Sequence, residues 1–203
     1  MIKEDKLLSG AIGFLIALLI LTIKFSGNIP HLARIPFLEL SLLILPLLSI
    51  AGMHIASSLA RRVTILLQFT KFLYVGILNT FVDLAILNAL IGFSGISSGF
   101  EFSLFKGLSF IAAVINSYMW NKFWTFRKYN KDSGRRGKEF LQFLAVSAIG
   151  FFLNVASASI VVNSIGPQFD ISQNTWATVG ALVGTGIVFT WNFLGYKLIV
   201  FRK

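Results

Sequence analysis

Six long apolar stretches run through the 203-residue sequence, and they restrict what the chain can fold into. The stretches cover residues 7–23, 35–59, 72–93, 107–124, 140–164 and 176–201. Each one approaches or exceeds the ~17–25 residues that a helix needs to cross about 30 Å of hydrocarbon. With 56% hydrophobic and 13% charged residues, the chain is also more apolar than a soluble domain. We therefore predict an all-α membrane protein with six transmembrane helices.

The basic residues between these stretches predict an orientation. If the N-terminus lies inside, the cytoplasmic segments hold 15 of the 18 basic residues, and the opposite side holds only Lys24, Arg34 and Lys106. Because cytoplasmic loops carry an excess of Lys and Arg, both termini are predicted to be cytoplasmic. Lys3 and Lys6 before an apolar run also resemble a signal peptide, but no small-x-small cleavage site follows, so we expect an uncleaved first helix.

An internal similarity divides the chain into two parts. The segment "QFTKFLYVGILNTFVD" aligns with "EFLQFLAVSAIGFFLN", and Phe126-Arg127-Lys128 matches Phe201-Arg202-Lys203 at the far ends. Each similar segment contains two spans, so the repeats at about 69–128 and 140–203 are predicted to be parallel helical hairpins. We expect a four-helix core at 63–203 and a separate two-helix hairpin at 1–62.

The core also carries a family resemblance. The stretches "KFLYVGILNTFVDLAILNAL", "INSYMWNKFWTF", "FLQFLAVSAIGFFLN" and "WNFLGYKLIVF" resemble the GtrA-like family over about residues 69–203. Members of that family are small four-span membrane proteins implicated in moving polyprenyl-phosphate-linked monosaccharides across the membrane. They work beside a glycosyltransferase that makes the lipid-linked sugar. The hairpin at 1–62 lies outside the resemblance.

Asp83 is the most unusual residue within a span, because an ionised carboxylate there costs about 2.5–3.5 kcal/mol on insertion scales. Asn79 lies one turn earlier on the same helix face. Two interpretations stay open. Asp83 either lines a polar interior that contacts sugar hydroxyls or a proton, or it clamps helices together through Asn116 or Asn154.

Further carboxamides extend this polar interior. Amide groups hydrogen-bond sugar hydroxyls well, because each supplies both donors and an acceptor. The predicted sugar-binding residues are Asn79, Asp83, Asn116, Asn121, Asn154 and Asn192. Packing between helices is the competing explanation for each Asn taken singly.

A phosphate site is predicted among the basic residues at the helix ends. A lipid phosphate would meet Lys side chains as point charges and Arg side chains as forked donors. The predicted residues are Lys71, Lys122, Arg127, Lys197 and Arg202. Membrane topology and snorkelling of long side chains explain the same positions without any ligand.

The expected function is flippase-like translocation of a polyprenyl-phosphate-linked monosaccharide across the cell (inner, cytoplasmic) membrane, for modification of envelope glycans. The alternative is a membrane anchor that recruits a polyprenyl-phosphate glycosyltransferase. An enzymatic role is not expected, because no Asp-x-Asp motif and no His or Cys cluster occurs. We expect no metal and no cofactor. Small residues spaced four apart, such as Gly180 and Gly184, permit close helix packing within a monomer or across a homodimer.

Overall fold

The computed structural model describes residues 3–60, 64–125 and 133–195, and within these ranges the chain is helical with no strand. Seven α-helices follow one another: α1 Lys3–Phe25, α2 Pro30–Ala33, α3 Ser41–Leu59, α4 Thr64–Ser94, α5 Gly99–Trp120, α6 Ser133–Ser159 and α7 Gln173–Gly195. A 3-10 turn at Leu38–Leu40 precedes α3, and π-helical turns at Asn121–Thr125 and Ile160–Ile165 extend α5 and α6.

Five segments within the described ranges are long and apolar enough to cross a membrane. They are Glu4–Phe25, Leu38–Leu59, Phe69–Ser94, Gly99–Thr125 and Leu144–Ile165. Helix α7 is equally long but does not belong to this set. The chain is thus a helical, multi-pass membrane protein, and a sixth span formed by α7 stays a prediction, as does the duplication of the core hairpins.

The last four long helices form a closed ring. Helix α4 packs against α5, α5 against α6, α6 against α7, and α7 returns to α4. Helices α1 and α3 pack on each other and lie against the outside of the ring through α4. Apolar side chains from α1, α4, α5, α6 and α7 build the larger buried core, which includes Leu87, Ile91 and Phe102. A bilayer offers no hydrophobic drive between helices, so this close packing depends on shape and hydrogen bonds.

Two glycines allow α7 to approach α6 within one chain. A Cβ atom on Gly184 would lie 2.7 Å from the backbone oxygen of Asn154. A Cβ atom on Gly180 would lie 2.5 Å from a methyl carbon of Val162. The two predicted small residues therefore serve contacts inside the ring.

A polar cluster fixes one end of α1 to the ring. The Asn28 side chain, just after α1, donates to the backbone oxygen of Asn88 at 2.7 Å. Thr178 on α7 donates to the side-chain oxygen of Asn88 at 3.0 Å, and Thr175 donates to the Asn28 backbone oxygen at 3.0 Å. Asn28, Asn88 and Thr178 are buried. Each of these hydrogen bonds joins helices that are distant in sequence, so the cluster ties the N-terminal hairpin to α4 and α7.

Two predicted loops differ from the structure. Residues 94–106 were expected to form an outer loop, but α5 begins at Gly99 and only 95–98 connect it to α4. The solvated loop expected at 125–139 is helical from Ser133 onwards, where α6 begins. In both cases the first turns of the helix contain charged and small residues that interrupt the apolar pattern. A helix can include them because its hydrogen bonds join backbone groups.

Candidate functional site

A half-open cavity lies within the ring formed by α4, α5, α6 and α7, and polar side chains interrupt its mainly apolar wall. Its volume is about 100 Å³, which is room for several water molecules. Five of the six predicted sugar-binding residues line it: Asn79, Asp83, Asn121, Asn154 and Asn192. Thr80, Ser117, Ser147 and Thr185 add hydroxyl groups, and the remaining wall includes Phe72, Phe110 and Phe189. All four helices of the ring therefore contribute polar groups to one space within the predicted hydrocarbon zone.

Asn116 does not line the cavity but holds a residue that does. Its amide nitrogen donates to the side-chain oxygen of Asn79 at 2.6 Å, joining α5 to α4. The side-chain oxygen of Asn79 therefore already accepts a hydrogen bond. Asn116 orients the wall of the cavity and does not face its interior.

Three amide oxygens at the cavity have no donor. The side-chain oxygens of Asn121, Asn154 and Asn192 are buried, and none of the described residues donates a hydrogen bond to them. Asn121 does donate its amide to the Ser117 hydroxyl at 3.1 Å. A buried acceptor without a donor costs about 1–3 kcal/mol. Because these three acceptors surround one cavity, the described part of the site has too few hydrogen-bond donors. Water, or a ligand with several O–H groups, would supply them.

Asp83 has a cationic partner that the sequence analysis did not identify. The Lys106 ammonium on α5 contacts one carboxylate oxygen of Asp83, and the Ser109 hydroxyl donates to the other at 2.6 Å. Thr185 on α7 lies 3.4 Å from the first oxygen. Asp83 thus joins α4 to α5 and α7, as the clamp interpretation expects, but the described contacts of its carboxylate come from these three residues and not from Asn116 or Asn154. A buried charge is stabilised better by an opposite charge than by a neutral amide.

Lys106 was expected on the outer side of the membrane, yet it is completely buried at 0% exposure. It lies in the second turn of α5, where the extra helical residues carry it below the surface. A signal for this pairing is present in the sequence. An intramembrane carboxylate requires a partner, and Lys106 is the basic residue nearest the start of the following apolar stretch.

A second, partly buried ion pair lies nearer the start of α4. Lys71 donates to a carboxylate oxygen of Asp5 at 2.5 Å, and the indole nitrogen of Trp124 donates to the same oxygen at 3.1 Å. The Lys71 ammonium also lies 5.5 Å from the centre of the Trp124 ring. Asp5 was not among the predicted residues, because the acids before the first apolar stretch resembled an exposed helix start.

The other predicted phosphate-binding residues cannot be placed in the same way. Arg127, Lys197 and Arg202 lie outside the described residues, and so does the side chain of Lys122. Their role stays a prediction. In the part of the chain that the structure describes, no three His, Cys, Asp or Glu side chains come close enough to hold a metal ion.

Comparison with known proteins identifies the ring but not the hairpin. No characterised protein and no solved structure shows significant similarity to the chain. The sequence model of the family described as GtrA/DPMS, transmembrane domain, matches residues 71–201, about two thirds of the chain. The match begins at Lys71 and includes every residue that lines the cavity, whereas α1 and α3 precede it. The chain therefore belongs to the GtrA/DPMS transmembrane domain family.

Proposed function

We propose that this protein moves a polyprenyl-phosphate-linked monosaccharide across the cell membrane in a flippase-like manner. The observation that carries the proposal is the cavity in the ring, where Asn121, Asn154 and Asn192 present buried oxygens that lack donors. A monosaccharide is a compact group with several O–H donors, so it matches this deficit. Family membership supports the same substrate class.

The ring would act by replacing water around the sugar during its passage. Sugar hydroxyls would donate to the three amide oxygens, beside Asp83, which also lines the cavity and already accepts from Lys106, Ser109 and Thr185. Transfer of an unpaired hydroxyl into an apolar medium costs about 2–7 kcal/mol, so each hydrogen bond made by the ring lowers the barrier. The isoprenoid chain would stay in lipid. The cavity of about 100 Å³ would therefore have to widen when the headgroup enters.

The remaining parts of the proposal concern topology and partners. Six spans, including α7, and cytoplasmic termini follow from the excess of basic residues on one side. The substrate would come from a polyprenyl-phosphate glycosyltransferase at the cytoplasmic face of the membrane. The chain itself would perform no covalent chemistry and would need no cofactor, because translocation only changes where the lipid headgroup lies.

A liposome experiment tests the proposal. Purified protein is reconstituted with a fluorescent polyprenyl-phosphate sugar, and a membrane-impermeant quencher reports the lipid that crosses. We expect the protein to accelerate crossing and Asn154→Leu to slow it at least about tenfold, since loss of a buried polar contact of 1.4 kcal/mol gives that factor. Gln168→Leu, which removes an amide at an exposed position beyond the cavity, should leave the lipid crossing at the wild-type rate.

The result that would overturn the proposal is equally specific. If folded wild-type protein does not accelerate crossing, translocation is excluded under those conditions and the anchor function becomes the better explanation. Co-purification with the glycosyltransferase in the absence of transport would then support the anchor.

A further inference from the structure

The carboxylate of Asp5 occupies a small site that the family domain builds. Both donors to its oxygen come from the matched region, Lys71 about two turns into α4 and Trp124 in the π-helical turn after α5. Asp5 itself lies in α1, outside the match. The hairpin thus supplies the anion, and the ring supplies these two donors.

The chemistry of the two donors defines what else would bind there. An ammonium group and an indole N–H donate hydrogen bonds and accept none, so the site selects an oxygen acceptor. The side chains of Lys71 and Asp5 are only 12% and 5% exposed, which strengthens a charge-assisted hydrogen bond by excluding water. A phosphodiester oxygen carries the same charge as a carboxylate oxygen and accepts the same two bonds.

The site also lies beside the cavity. Val75, one turn after Lys71 on the same helix face, lines the cavity, and so does Asn121, which is three residues before Trp124. Asn121 presents one of the acceptors that lack donors. In a polyprenyl-phosphate sugar the phosphate is bonded directly to the sugar, so the two groups require adjoining sites of opposite character. Donors at Lys71 and Trp124 next to acceptors in the cavity supply that arrangement.

We propose that Lys71 and Trp124 bind the phosphodiester of the lipid-linked sugar, and that Asp5 occupies this site until the lipid displaces it. The inference rests on the proposed function for the identity of the lipid. It makes α1 a competitor built into the chain. Because two anions cannot share one pair of donors, lipid binding and the Asp5 contact weaken each other by the same factor.

A binding measurement tests this competition without requiring transport. The probe is a polyprenyl-phosphate sugar added to the full chain in detergent, and its dissociation constant is measured for wild type and Asp5→Asn. We expect binding to Asp5→Asn at least about fivefold tighter, the lower end of common coupling between sites. Glu4→Gln removes the same charge one residue away and should leave the constant unchanged. Uncharged polyprenol should bind both proteins equally.

A double-mutant cycle shows whether Lys71 carries the effect. Lys71→Met should weaken binding of the anionic lipid, and Asp5→Asn should give no gain in the Lys71→Met background. Equal or weaker binding to folded Asp5→Asn than to wild type would overturn the inference. If wild type binds the lipid with this pattern but does not transport it, the proposed function fails while the competition stands.

A second measurement leaves Asp5, Lys71 and Trp124 unchanged, so it does not depend on whether Asp5→Asn folds. The chain has no cysteine, so a variant with one cysteine at Leu7 and one at Phe69, both exposed positions, is spin-labelled at those two sites alone. The anionic lipid should lengthen the distance between the labels, because it releases the start of α1 from α4. Uncharged polyprenol should leave the distance unchanged. No change with saturating anionic lipid would contradict the displacement of Asp5.

Discussion

Two ion pairs among the described residues, Asp83–Lys106 and Asp5–Lys71, differ in what they join. Asp83 and Lys106 are 3% and 0% exposed, and both belong to the family domain. Asp5 lies in the first turn of α1 and Lys71 about two turns into α4, and only Lys71 belongs to that domain. The carboxylate of Asp83 has hydroxyl donors besides its cation, whereas an indole is the additional donor for Asp5. The deep pair is therefore part of the ring itself, and the outer pair is a contact between the hairpin and the ring.

The largest effect should come from breaking the deep pair. Asp83→Ala leaves Lys106 buried without its anion, which costs about 3–5 kcal/mol of unfolding free energy. Thermal unfolding in detergent measures the loss. Replacing both charges in Asp83→Asn/Lys106→Met should restore most of the stability, because no unpaired charge remains. A double variant as unstable as Asp83→Ala would show that the charges themselves are required for the fold.

A smaller loss is expected at the outer pair. Asp5→Ala removes a charge-assisted contact of about 1.5–3 kcal/mol, but the long Lys71 side chain lies at the start of a span and can extend towards water. The same unfolding assay compares the two alanine variants. If Asp5→Ala is as destabilising as Asp83→Ala, the hairpin is not separable from the ring.

Two glycine-to-alanine substitutions, one in the ring and one in the hairpin, should differ in their effect on transport. Gly184→Ala would place a Cβ atom 2.7 Å from the Asn154 backbone, and Gly13→Ala would place one 2.5 Å from the Leu45 backbone in α3. Each overpacked contact should cost about 1–3 kcal/mol. Only Gly184→Ala displaces a helix that lines the cavity, so liposome transport should fall in that variant and persist in Gly13→Ala. Equal transport by the two folded variants would contradict the location of the site.

The smallest expected effect is at Asn116. Asn116→Ala removes the 2.6 Å hydrogen bond to Asn79, and such bonds contribute about 0.6 kcal/mol in membrane proteins. We expect a small fall in unfolding temperature together with slower transport, because Asn79 loses the group that orients it. Asn79→Ala should slow transport at least as much. Faster transport by Asn116→Ala would show that Asn79 is more useful when its oxygen is unengaged.

Much of the cavity follows from the sequence because polar groups in hydrocarbon are rare. Asn79, Asp83, Asn121, Asn154 and Asn192 were predicted from their positions in apolar stretches, and the ring brings them to one cavity. Their common location does not test whether they bind a sugar. The pattern was informative because an amide in the bilayer must face the protein interior.

The pairing of charges could not be read in the same way. Asp83 and Lys106 are 23 residues apart, and Asp5 and Lys71 are 66 residues apart, so each contact depends on how helices pack. Lys106 stands where the apolar pattern of the fourth stretch begins, and a loop there satisfied the pattern equally well. Because α5 begins at Gly99, Lys106 lies in a helix and not in a loop. No strong local signal in the sequence marks that start.

The cluster around Asn28 gives α1 a pivot. Asp5 lies near the start of α1, and Asn28 follows shortly after its last residue, Phe25, so the helical part between them is about 30 Å long. With Asn28 held by α4 and α7, a tilt of α1 by about 10° would move Asp5 by about 5 Å at that helical rise. If the anionic lipid displaces Asp5 as proposed, a small rotation of this kind would clear the space beside Lys71. The helix would then work as a lever, with its fulcrum at Asn28 and its contact point at the other end of the helix.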